Sequence, residues 1–136
     1  RSAASVVPED AAVLYEAVEN AGVLPDMQKL PPEDVQDYVG IAPDTYTSAC
    51  AATARDALLA DAVMVFAAKD DDSAKTIEAR LNDFLSYRRQ EMRDYLPEQY
   101  AVLQRAVLRW DGLNVALLVT KDIDKLGQAY QAALHR

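Results

Sequence analysis

Three arginines and three of the chain's seven tyrosines fall within residues 87–100, in the stretch YRRQEMRDYLPEQY. A guanidinium offers a planar fork that matches a carboxylate or a phosphate, and a tyrosine adds rigid contact area with a polar tip. Arg88, Arg89, Tyr95 and Tyr100 are therefore the candidate residues for binding a protein partner or a small anionic ligand. In a chain of net charge -8 this cluster is also where an anion meets least repulsion, although Glu91, Asp94 and Glu98 cancel much of that advantage. A plainer account competes with this one. The same residues form the outer half of a long helix, whose charges are solvated and whose stems pack over a sheet edge.

The rest of the chemical inventory is thin. The single histidine, His135, stands next to the end of the chain, a poor place for a general base, so no histidine triad is expected. One Cys and one His, far apart in sequence, do not make a zinc site. Cys50 sits in a run of small residues and reads as a buried apolar side chain, not as a nucleophile. With four glycines and no glycine-rich phosphate loop or dinucleotide fingerprint, no cofactor is expected. Acidic residues are numerous, so a carboxylate-pair hydrolase stays open as an alternative.

Composition narrows the class. The chain has 136 residues, 51% of them hydrophobic and 26% charged, which suits one folded domain over residues 1–136. Its acidity makes nucleic acid a poor partner. No stretch approaches the apolar length needed to cross a bilayer. A lone cysteine forbids an internal disulfide and fits the cytosol as well as export. The start at Arg1, without Met, reads as a mature form from which any targeting segment has gone.

The elements that must position these residues follow from periodicity. Residues 1–45 hold a first helix and a connector. Pro8 suits its first helical position, Ala11, Leu14, Tyr15, Val18 and Ala21 form its apolar stripe, and Gly22 ends it. A short helical turn over residues 32–38 stops at Gly40. Residues 46–55 read as a strand, and Ala62–Ala68 as a second strand apolar on both faces. A long helix runs from about Asp70 to Pro97, with Ala74, Ile77, Leu81, Phe84, Leu85 and Met92 inward. The stretch QYAVLQRAVLRW reads as a strand closing at Asp111-Gly112, followed by the apolar strand 113–120 and a closing helix.

The chain thus says one thing twice. VFAAKD and LLVTKD each end an apolar strand in Lys-Asp-x-Asp, with Lys69, Asp70 and Asp72 matching Lys121, Asp122 and Asp124. An Asp at a strand-to-helix corner accepts hydrogen bonds from the first helical turn, and capping is the favoured reading over a shared cation site. Duplication and convergence both account for the likeness. The expected fold is α+β: a four-stranded, mostly antiparallel sheet from two strand-strand-helix units (46–96 and 97–136), with an extra N-terminal helix. The two fully apolar strands lie side by side at the centre, in order 1-2-4-3, and helices cover one face.

The succession VMVFAAKDDDSAKTIEARL, RRQEMRDYLPEQY and WDGLNVALLVTKDIDK resembles a family of lipoproteins of unknown function from Gram-positive gut anaerobes, the family of domain of unknown function 4358. The resemblance spans about residue 35 to the end. It implies an exported protein with its signal peptide removed, held to the cell membrane by a lipid-modified cysteine upstream of Arg1. It implies no activity, cofactor or catalytic residue. Three functions follow as expectations. The first is a non-catalytic extracytoplasmic binding or interaction module of the cell envelope. The alternatives are a carboxylate- and tyrosine-based enzyme, and a structural subunit of an envelope complex. A cytoplasmic location is the alternative to the envelope.

Overall fold

In the computed structural model, which describes residues 7–135, the elements follow in the order α1 (Ala11–Glu19), β1 (Met27–Lys29), α2 (Pro32–Asp34), β2 (Tyr46–Ala54), β3 (Ala62–Ala68), α3 (Asp71–Met92), α4 (Pro97–Gln104), β4 (Val107–Asp111), β5 (Asn114–Val119) and α5 (Ile123–Leu134). Residues 1–6, with the start read as that of a mature form, and Arg136, in the stretch read as the closing helix, lie outside the described residues.

Every residue of β3 and β5 is buried. They pair antiparallel at the middle of a five-stranded antiparallel sheet of order β1-β2-β3-β5-β4. This is the expected order of the four longer strands, with the two apolar strands adjacent and central. The fifth strand is a correction. Met27–Lys29 is too short and too close to Pro25 and Pro31 to show an alternating pattern. It becomes a strand only because the outer edge of β2 is free to pair with it, Met27 opposite Ala54 and Lys29 opposite Ala52.

A second correction concerns the layers, since helices cover both faces and not one. Met64 and Phe66 of β3 and Val115 and Leu117 of β5 face α3 and α4, in a core with Ile77, Leu81 and Leu103. Val63, Val65, Ala116 and Leu118 point the other way, to α1 and α5, in a core with Leu14, Tyr15, Leu126 and Tyr130. Two adjacent apolar strands with no polar face leave no alternative to a helix, sheet, helix sandwich. Helix α1 begins three residues later than expected, at Ala11 and not at Pro8. Asp10, not Pro8, is at its boundary, accepting from the Ala12 N–H at 3.0 Å. Asn114, 3% exposed, ties this start to the sheet: its amide accepts from the Glu9 N–H and donates to the Glu9 carbonyl, both at 2.9 Å.

The third correction is residues 97–104. Pro97 does not end the long helix, which has already stopped at Met92. It opens α4, where its missing N–H costs nothing at the first helical position. The apparent alternation in QYAVLQ is a short helix with Leu103 buried, and only Val107–Asp111 is strand.

The two Lys-Asp-x-Asp corners are caps, as expected. Asp70 accepts from the Ser73 N–H at 2.7 Å and Asp122 from the Lys125 N–H at 3.4 Å. They do not meet. Because β3 and β5 are antiparallel, with Ala62 opposite Val119 and Ala67 opposite Asn114, the corners lie at opposite ends of the sheet, about 20 Å apart at the usual rise per residue. Nor are the two units rotated copies. Met64 faces α3, while its counterpart Ala116, 52 positions on, faces α1 and α5.

Leu117, fully buried between β3 and β4, is a sensitive reporter of this core. Leu117→Ala is expected to cost about 3 kcal/mol in urea unfolding. The caps predict a pH effect. The Ser73 N–H, and then its hydroxyl, hold the Asp70 carboxyl below the usual carboxylate range. Its stabilising contribution is present above the unfolded carboxylate pKa and lost as pH falls through the lower folded value. Asp70→Ala should therefore lower the thermal midpoint at neutral pH, by more than Asp122→Ala, and the wild-type and Asp70→Ala curves should converge in acid.

Candidate functional site

The last turns of α3 carry two of the four candidates, Arg88 and Arg89, between the buried Leu85 and Met92. From Ser73 to Leu85 every third or fourth side chain enters the core, whereas Tyr87 is 57% exposed. The four candidates meet four different surroundings. Arg89 turns inward and donates from Nε and Nη2 to the Leu103 carbonyl, at 3.2 and 3.0 Å, clamping the last turn of α4. Tyr100 is half-buried against the core beneath α3. Tyr95, in the turn between α3 and α4, is 74% exposed. Arg88 is the residue at a cavity.

That cavity, of about 240 Å³, opens between α3, the β2–β3 hairpin and the turn before Gly40. Arg88, Arg55, Asp61, Tyr38 and Phe84 line it. The Arg88 side chain is only 15% exposed, yet it reaches Glu91 at 3.0 Å. Arg55, just after β2, pairs with Asp26, just before β1, at 3.0 Å. Tyr38 and Phe84 meet edge to face, their ring centroids 5.2 Å apart, and make an apolar wall.

Asp61 is the residue that sequence reasoning missed. Its side chain is nearly enclosed, and the Thr120 hydroxyl donates to Oδ2 at 2.6 Å. It lines a second cavity as well, of about 330 Å³, beside Thr120, Lys121 and Gln99. Gln99 closes the same region by accepting from the Ala60 N–H at 2.8 Å. The sequence signal is faint: in RDALLAD, residues 55–61 between two strands, nothing distinguishes the last Asp from a solvated one. Arg55 and Tyr38 were hidden in the same way, in a hairpin and a connector.

Burial moves several other groups. It raises Tyr15 to about 12, with Glu19 adding to the effect, and it raises Tyr46 and Tyr130. The Tyr15 and Tyr130 rings carry cations on their faces, Lys29 at 5.1 Å and Arg109 at 5.2 Å. Cys50 is half-buried against the core under α1, less enclosed than expected, and burial pushes its thiol up. Among the described residues no three His, Cys, Asp or Glu side chains are grouped to hold a metal ion, and no helix is long and apolar enough to cross a membrane.

With this geometry in view the chain can be placed. A family model, "Domain of unknown function (DUF4358)", matches residues 20–120, and the chain belongs to that family. The match covers the whole sheet with α2, α3 and α4, while α1 and α5, the helices of the second layer, fall outside it. No curated protein and no solved structure matches the chain.

The two neighbouring arginines are expected to separate on substitution. Arg89→Ala removes a charged donor from a backbone carbonyl and should cost about 2 kcal/mol in chemical denaturation. Arg88→Ala breaks the pair with the more exposed Glu91 and removes a largely covered stem, and should cost about 1 kcal/mol, less than the loss at Arg89. For Cys50, modification by a thiol reagent should be slower in the folded than in the urea-unfolded protein, and should accelerate as pH rises beyond the ordinary thiol range.

Proposed function

We propose that this chain is a non-catalytic binding module of the cell envelope, attached to the membrane by a lipid anchor, which takes a small anionic ligand in the cavity beside Arg88. The envelope location and the anchor rest on the likeness of its motifs to lipoproteins. The observation that carries the binding reading is the placing of Arg88: a guanidinium drawn against a cavity that also holds Arg55 and an aromatic wall. The ligand's anionic group displaces Glu91 as the partner of Arg88, and an apolar body lies against Tyr38 and Phe84. Asp61 adds an acceptor, which favours a ligand that also carries an N–H or O–H donor. At about 240 Å³ the cavity suits a molecule smaller than a drug-sized one.

The groups that burial raises are tyrosines and a thiol in the packed layers, which favours binding over acid–base catalysis at this cavity. Thermal-shift and calorimetric titration with benzoate, a short dipeptide and inorganic phosphate would test the reading. At least one should raise the thermal midpoint of the wild type and fail to raise that of Arg88→Ala, each measured against its own unliganded midpoint. An equal shift in both proteins, or none in either, removes the cavity from consideration. For the location, fractionation of cells producing the protein from its own gene should place it with the membranes, and recovery in the cytosol would contradict the envelope reading.

A further inference from the structure

The two edges of the sheet are unlike. β1 is three residues long, between Pro25 and Pro31, and offers little for another strand to pair with. β4 is five residues long, has no proline, and closes the other side of the sheet with no described strand beyond it.

The backbone groups it leaves free can be worked out. The Ala68 N–H donates to the Leu113 carbonyl at 2.8 Å, so β5 spends its odd-numbered groups on β3 and its even-numbered groups on β4. On β4 the partners of Asn114, Ala116 and Leu118 are Asp111, Arg109 and Val107. The N–H and C=O groups of Leu108 and Trp110 therefore point away from the sheet. Trp110, 38% exposed, stands on this edge. On the α5 side of the strand Arg109 and Asp111 form a two-pronged ion pair at 2.7 and 2.9 Å.

We propose that two copies of this chain pair antiparallel through β4, about a two-fold axis at Trp110, to make one continuous sheet. The charge pattern selects both the occupant and the register. Centred on Trp110, the pairing exchanges both hydrogen bonds between the two Trp110 residues. It also sets Arg109 opposite Asp111 of the second copy and Asp111 opposite its Arg109, so the edge is complementary to itself. Centred on Arg109, it sets two arginines face to face. Centred on Leu108, it sets Asp111 against Arg105, where the chain has turned into α4. The two-fold axis is perpendicular to the sheet and leaves both α5 helices on one side. An open groove of about 590 Å³ along this edge, lined by Val107, Ile123, Gly127 and Ala132 among others, then meets its own copy across the seam.

The test is sedimentation velocity over a concentration series, with folding of each variant checked by circular dichroism. Wild type should pass from monomer to dimer. Arg109→Asp and Asp111→Arg each set like charges in opposition at two places, and each alone should dimerise roughly tenfold or more weakly. Mixed in equal amounts they regain both pairs, and the mixture should form a heterodimer of about wild-type strength. Trp110→Pro removes an outward N–H without touching the β4–β5 ladder, so it should stay folded and monomeric, whereas Trp110→Thr, which keeps the N–H, should still dimerise. A wild type that is monomeric at every concentration overturns the proposal. So does dimerisation that persists unchanged in Trp110→Pro, or a mixture of two folded charge variants that fails to associate.

Discussion

The pairing of β3 with β5 is the constraint on which the rest of the structure depends. The thirteen residues of these two strands are all buried and present no polar face. An antiparallel pair usually exposes one side to water, and here neither side can be exposed without a large apolar penalty. Two helical layers are therefore required, and the chain divides its helices between them: α3 and α4 on one face, α1 and α5 on the other. Three of the buried polar residues, Asp61, Asn114 and Thr120, join segments. Asn114 holds the start of α1 to the sheet, and Asp61 with Thr120 joins the approach to β3 to the end of β5. Each has its hydrogen-bond partner, as enclosure demands.

This constraint also explains why one local solution is used twice with different results. Both central strands end in Lys-Asp, and both Asp side chains cap the helix that follows. The corners are alike because a helix start needs an acceptor for its free N–H groups. The helices go to opposite faces because both faces must be covered. Local chemistry repeats, while the direction of each helix answers to the global need for burial.

The same division runs through the residues 87–100. Its arginines and tyrosines were visible as a group, but their roles were not. Arg88 and Arg89 are neighbours in sequence, about 100° apart around a helix, so one meets a cavity and the other the end of α4. Tyr95 and Tyr100 differ because a turn and a new helix intervene. The cavity's other walls, Arg55, Asp61 and Tyr38, come from segments up to fifty residues distant, and no spacing rule links them.

By itself the sequence determined the elements whose evidence is local. These are the stripe of α3, the two-sided apolarity of β3 and β5, their central place, the hairpin at Asp111-Gly112 and the two Asp caps. Each is a matter of side-chain period or of hydrogen bonds within a few residues. Tertiary structure alone decided what depends on a neighbour far along the chain. Met27–Lys29 is a strand because β2 has an edge to fill. Residues 97–104 are a helix because Leu103 finds a place beneath α3 and Arg89 satisfies its carbonyl. The second helical layer exists because alternate side chains of one strand must enter different cores, and the cavity is formed by surfaces that touch only after the sheet is complete. Periodicity reports which side of an element avoids water, and only packing shows what that side meets.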